Sequence, residues 1–208
     1  MTEHGAAEWD SRYREKESMW SGRPNGRLVA EVAEVADLAP GRALDVGCGE
    51  GADAIWLAEQ GWRVTGTDIS QAALDRPTTH AVAAGVADRI TWERHDFSRS
   101  IPTGPYDLVS VHFLHSPVDD PRQPALRAAV DAVAAHGTLL VVSHETVPWH
   151  PEMVFPTPAE VLESLAIDPT EWIVERVESR PRRTTDPEGV EVDVSDSVVR
   201  VRRTPASS

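Results

Sequence analysis

The chain has 208 residues, a formal net charge of −14 and one cysteine, and these totals exclude several classes of protein. Cys48 alone can form neither an internal disulfide nor a multi-cysteine zinc site. So acidic a surface repels a nucleic-acid duplex, and no run is long and apolar enough to cross a bilayer, so neither nucleic acid nor membrane is expected as a partner.

The length suits one domain over residues 1–208, as a monomer or homodimer. The polar, acidic start "MTEHGAAEWDSRYREKES" is unlike a signal peptide, which makes a cytoplasmic location the expectation. Residues 6–18 read as a short helix with Trp9 and Tyr13 on one face. "MWSGRPNG" breaks that pattern. Leu28, Val32 and Val35 then mark a helix that "PG" at 40–41 ends. "RALDV" is a short buried strand, and residues 52–60 form a helix with Ala54, Leu57 and Ala58 as its stripe. "WRVTGTD" is a second strand, after which Ser70 caps a helix running to about Ala84. "RITWERHD" and "YDLVSVHF" are the third and fourth strands. Asp120 and Pro121 open a helix whose stripe is Leu126, Ala129, Val130 and Val133. "GTLLVVSH" is the fifth strand, and Thr157-Pro158-Ala159-Glu160 is a capping box that starts another helix. "EWIVERVESRP" and "SDSVVRVRR" read as a terminal β-hairpin over 171–203. The arginines at 180, 182, 183, 200, 202 and 203 read as solvated strand faces, with one of them reaching an anionic substrate as the alternative.

Alternating strand and helix predicts an α/β fold: a doubly wound, Rossmann-like sheet with helices on both faces. Ligands in such sheets lie beyond the carboxyl ends of the strands. The functional information is therefore expected at Asp45–Gly51, Thr67–Ile69, His95–Phe97, His112–His115 and Ser143–Glu145.

The first of these ends carries Gly47, Gly49 and Gly51, a turn whose backbone can approach a nucleotide closely. Read as Gly47-x-Gly49-x-x-Ala52 with Asp68 at the next strand end, it satisfies the dinucleotide pattern, so NAD(P) is one candidate. Three features point elsewhere. Asp45 precedes the glycines, where a carboxylate repels a pyrophosphate and welcomes a cation. "HDF" at the third strand end offers Asp96 to an adenine amino group. No separate substrate domain follows the single sheet. A nucleotide with adenine, ribose, no phosphate and an amino-acid tail fits all three, and that is S-adenosylmethionine.

In order and spacing, "LDVGCGEG", "GTDIS", "HDF" and "YDLVSVHF" resemble the motif series of the class I S-adenosylmethionine-dependent methyltransferases. The resemblance covers residues 42 to about 145 and implies seven strands, the seventh antiparallel between the fifth and sixth. It implies that Asp45 and the backbone of Gly47, Cys48, Gly49 and Gly51 hold the methionine portion, with His112 on the same side. It implies that Asp68 accepts from the ribose hydroxyls, that Ile69 packs on the adenine, and that Asp96 accepts from the adenine amino group beside Phe97. The product would be S-adenosylhomocysteine. The C-terminal hairpin and short N-terminal extension are also similar to the tellurite-resistance-type, small-molecule branch. Cys48 itself reads as a packing residue, because methyl transfer needs no thiol nucleophile.

The acceptor side is expected to combine three pieces. Residues 1–25 form a lid over the cofactor, with Trp20 covering the methionine chain and Arg23, or Arg12 or Arg14, pairing with its carboxylate; packing of the extension onto the core is the other role for Trp20. The second piece is "HFLHSPVDD", and the third is the loop over 145–157, which carries Trp149 and Phe155 and suits a small apolar or aromatic acceptor. His112, His115, His144 and His150 fall in these last two pieces. His115 or His144 is the candidate general base, needed only if the acceptor atom carries a proton of high pKa. A metal site using Glu145 lacks any tight ligand spacing, and no metal is expected. The expected activity is methyl transfer to an O, N or S atom of a small molecule. The alternatives are an NAD(P)-dependent oxidoreductase and a non-catalytic cofactor-binding domain.

Overall fold

In the computed structural model, residues 3–35, 38–115, 122–149, 153–186 and 188–205 are described. Asp120, Pro121 and His150, singled out by sequence, lie outside them.

The strands are β1 (Arg42–Val46), β2 (Arg63–Asp68), β3 (Ile90–Arg94), β4 (Tyr106–His112), β5 (Val133–Thr146), β6 (Trp172–Thr185) and β7 (Glu191–Arg203). They form one sheet in the order β3-β2-β1-β4-β5-β7-β6. The first five are parallel, and β7 runs antiparallel to both β5 and β6. The helices are α1 (Glu3–Arg14), α2 (Gly26–Glu34), α3 (Ala52–Glu59), α4 (Gln71–Leu74), α5 (Pro77–Ala83), α6 (Arg122–Ala132) and α7 (Pro158–Leu165).

The alternation of side chains along the central strands feeds two cores. Leu44, Val46, Val109, Val111, Leu139 and Val141 pack against α6 and α7. Ala43, Leu108, Leu140, Val142 and Val198 pack on the opposite face, with Leu28 of α2 and Ala54, Leu57 and Ala58 of α3. Asp45 shares the second face with Ala43, so its side chain points toward α3 rather than α6.

Capping explains where the helices begin. Asn25 accepts from the Arg27 amide, Ser70 from Ala73, and Thr157 and Glu160 form the reciprocal box that the sequence indicates. Two expectations change. The helix after Ser70 is not continuous: α4 closes at Leu74, and Pro77 opens α5, because a proline lacks the N–H that an uninterrupted helix requires at that place. Likewise α2 stops at Glu34, with Val35 extended, well before the Pro40-Gly41 pair.

The arginines of the hairpin are the larger correction. Arg200 is buried, not solvated. Its guanidinium bonds Glu31 of α2 at 2.7 Å and Glu175 of β6 at 3.1 Å. Arg176 also reaches Glu31, at 2.9 Å. A buried cation requires such partners, and this network ties α2 to the β6–β7 hairpin.

Candidate functional site

The carboxyl ends of β1, β2 and β4 converge on the glycine turn. The Gly47 and Cys48 amides both donate to the Thr67 carbonyl, at 2.8 and 3.0 Å, so the turn folds back over the end of β2. Gly47, Gly49 and Gly51 all have positive φ. A Cβ on Gly49 would stand 3.0 Å from the Tyr13 hydroxyl and 3.1 Å from the Trp20 indole nitrogen. Glycine is therefore required at Gly49 for both conformation and close approach.

Asp45 and Asp68 are buried, and among the described residues neither is paired with an arginine or lysine. Asp45 accepts one bond, from Ser110 at 3.1 Å, while its Oδ2 is buried with no partner. Burial, followed by the nearby Asp53 carboxylate, pushes its pKa up to about 7. Asp68 accepts from the Gly49 amide at 3.0 Å and the Ser70 amide at 2.9 Å. Burial raises it to about 6 against backbone bonds from Ser70, Gly49 and Ile69. Each Asp68 oxygen keeps acceptor capacity beyond its backbone bond. His112 donates to or accepts from Asp53 at 2.9 Å through Nδ1, and its Nε2 is buried without a partner. Cys48 is half-buried, and desolvation followed by Asp45 drives its thiol well above the ordinary value, which argues against a nucleophile.

Farther along, Ile69 and Phe97 are buried and Asp96 is half-buried. Asp96 accepts from the Ser98 amide at 3.0 Å and its hydroxyl at 2.7 Å. A cavity of about 450 Å³ is lined here by Asp10, Ile69, Arg94, Asp96 and Arg99 together with the alanine face of α1.

The N-terminal segment is docked at two points that the sequence did not reveal. Asp10 accepts from the Ser70 hydroxyl at 2.6 Å and the Ala72 amide at 3.1 Å, supplementing the cap of α4. Glu50, buried within the glycine turn, accepts from the Met19 and Trp20 amides at 3.0 Å each and pairs with Arg76. Glu50 was legible only as a polar letter between two glycines, and its partners lie about thirty residues away. The Trp20 indole donates to the Tyr13 hydroxyl at 3.1 Å, yet the side chain remains 54 % exposed. Arg12 and Arg14 are engaged along α1 with Glu8 and Asp10, and Arg23 is exposed.

His115 and His144 meet beyond the ends of β4 and β5, with ring centroids 5.5 Å apart and nearly parallel planes. Phe113 lies 4.4 Å from His144, and Phe155 stands edge-on to both histidines. Burial, and then His144 and Arg122, lower the His115 pKa to about 4, so this ring is neutral at physiological pH. Among the described residues, no group of three or more His, Cys, Asp or Glu side chains is arranged to hold a metal ion. None of the described helices is long and apolar enough to cross a membrane.

Residues 43–137 match a family model described as a methyltransferase domain. The chain is 30 % identical over 110 residues to a probable thiol methyltransferase 2 of Arabidopsis thaliana, covering 52 % of this chain and 48 % of that one. It thus spans about half the length of this plant relative. It is 27 % identical over 188 residues to a 2-heptyl-1-hydroxyquinolin-4(1H)-one methyltransferase of Mycobacteroides abscessus, covering 85 % and 81 % of the two chains. Among solved structures, one from work on conversion of a disulfide bond into a thioacetal group during echinomycin biosynthesis superposes with a TM-score of 0.73, at 25 % identity over 97 % of this chain and 94 % of that chain.

Proposed function

We propose that this chain, which belongs to the class I S-adenosylmethionine-dependent methyltransferase family, methylates a small-molecule acceptor. Bound S-adenosylmethionine supplies a methyl group already activated on a sulfonium sulfur. The observation that carries the reading is the pair of buried carboxylates, Asp45 and Asp68, beside a positive-φ glycine turn. A carboxylate buried without a cation is costly unless a ligand completes it. The Asp45 Oδ2, with no partner, fits the ammonium of the methionine portion. Asp68 fits the two ribose hydroxyls, since each of its oxygens can accept once more. Gly47, Cys48, Gly49 and Gly51 present backbone to the same ligand, and His112 adds a buried ring nitrogen nearby. Ile69 and Phe97 would flank the adenine, with Asp96 accepting from its amino group. Trp20 and Tyr13 cover the methionine end, and Arg23 is the candidate partner for its carboxylate, which requires the exposed side chain to swing inward.

The chain's own part in the reaction is to hold two reactants at ~3–3.5 Å in line and to exclude water. The net charge of −14 supports a small acceptor over RNA. So do the names of two relatives, one a thiol and the other a hydroxyquinolinone methyltransferase. Isothermal titration tests the cofactor: S-adenosylhomocysteine should bind, with no heat from NAD(P). The reverse result would replace this reading with an oxidoreductase. Absence of S-adenosylhomocysteine production above background across a broad acceptor panel, despite tight cofactor binding, would favour a non-catalytic cofactor-binding domain.

A further inference from the structure

His144 and Asp196 are direct cross-strand partners on β5 and β7. The His144 Nδ1 lies 3.7 Å from the Asp196 Oδ1, and both atoms are buried with no hydrogen-bond partner. That distance is too long for a hydrogen bond, as catalytic contacts often are before substrate binds. Asp196 is fully buried. Its other oxygen accepts from Arg182 Nε at 2.7 Å, with Arg27 Nε at 4.0 Å. Those guanidiniums of β6 and α2 supply the charge that a buried carboxylate needs, yet they leave Oδ1 aimed at the imidazole. Immediately after His144 the β5–β7 register shifts, and Glu145 is anchored by the Ser179 and Ser195 hydroxyls at 2.8 and 2.9 Å. Bulges of this kind re-aim a side chain at a strand end. With Nδ1 turned to Asp196, the basic nitrogen left is Nε2, on a side chain that is 27 % exposed. His115, which faces His144 across the ring stack, has its Nε2 engaged by the His144 amide at 3.4 Å.

The rings define what can lie there. Phe113, His115 and Phe155, from three segments with His144, each lie within 5.5 Å of the His144 ring, centroid to centroid. Phe113 has φ +49, a conformation that side chains rarely adopt, here at the end of β4. Flat rings are recognised by such offset and edge-on partners.

We propose that His144, oriented by Asp196, is the general base for a hydroxyl on a planar aromatic acceptor held by the Phe113–His115–Phe155 cluster. The inference rests on the methyltransferase reading above. In the step, the O–H proton goes to Nε2 of His144. The acceptor oxygen bonds to the methyl carbon, and the methyl–sulfur bond leaves its pair on sulfur. The products are an aryl methyl ether, neutral S-adenosylhomocysteine and a protonated His144. Asp196 is a positioning residue, because it acts only through the imidazole.

The test pairs 2-naphthol with 2-naphthalenethiol, which is largely anionic at pH 8 and needs no base. The parent protein should methylate both. His144→Gln should lower kcat/KM for the naphthol ~100-fold or more, the scale of a general base, while changing the thiol ~3-fold or less. Asp196→Asn should lower the naphthol-to-thiol ratio ~10-fold, which a merely structural role would not do. A readout without turnover uses 4-nitrophenol and S-adenosylhomocysteine. The bound phenol should show phenolate absorption below its free pKa in the parent, and lose it in His144→Gln. Equal loss of both acceptors, or an unchanged naphthol rate in a His144→Gln protein that binds S-adenosylhomocysteine, overturns the base. Naphthol and nitrophenol both inert with intact S-adenosylhomocysteine binding overturns the acceptor class. Loss of that binding in the parent instead overturns the cofactor reading.

Discussion

Two groups of buried carboxylates in the same fold are satisfied in opposite ways. At the β1–β2 ends, Asp45 and Asp68 have no arginine or lysine partner among the described residues, and burial pushes both pKa values upward. At the hairpin end, Glu31 is clasped by Arg176 and Arg200. A buried carboxylate that the fold has already neutralised belongs to the scaffold. One left without a cation is where we propose that a ligand binds. Asp196 combines the two, with one oxygen on Arg182 and the other facing His144.

The hardest way to break this contrast is at Glu31. Glu31→Ala should destabilise by about 3 kcal/mol, the lower end for breaking a buried ion pair, because Arg176 and Arg200 keep other partners. Chemical denaturation measures it, and cofactor affinity below the transition should be unchanged. A large loss of affinity at full folding would place Glu31 in the site. Asp68→Ala should do the opposite: S-adenosylmethionine binding weakens 10-fold or more, from ~1.5–3 kcal/mol for hydrogen bonds to a charged group. Titration showing parental affinity in a folded variant removes the ribose role.

Asp45 sharpens the contrast through pH. Its pKa in the folded, ligand-free protein is about 7, above the ordinary 3.8. Between those values the folded state binds more protons than the unfolded state, so this group's contribution to stability falls as pH rises. Asp45→Asn removes that loss. The variant should therefore melt higher than the parent at pH 7.5 and gain less at pH 5, while binding S-adenosylmethionine more weakly at both. A variant less stable than the parent at pH 7.5 would mean that Asp45 is already compensated. The smallest effect is expected at the N-terminal segment: Trp20→Ala should weaken S-adenosylhomocysteine about two- to five-fold, matching loss of one neutral hydrogen bond. Dissociation rates by stopped flow would report it, and no change would leave Trp20 as a packing residue.

How legible each region was follows from where its partners lie in the chain. The glycine turn, Asp45 and Asp68 stand at the ends of predictable strands, and the Ser70 and Thr157 caps act on residues three positions away. Local pattern suffices there. Glu50 could not be assigned a partner, because Met19 and Trp20 reach it only once α1 has docked through Asp10. The arginines of the hairpin looked like a solvated face because period-two spacing cannot say whether a helix covers that face; α2 does, and Arg200 is buried beneath it.

By itself the sequence determined the order of elements, the parallel sheet and the carboxylates at its first strand ends, since periodicity, capping and turn chemistry act within a few residues. That His144 has Asp196 behind it was decided by the tertiary structure alone. His144 and Asp196 are far apart in the chain and become neighbours only through the antiparallel register of β5 and β7. Strand register is set by how two distant hydrophobic faces fit the same core, and no local pattern records it.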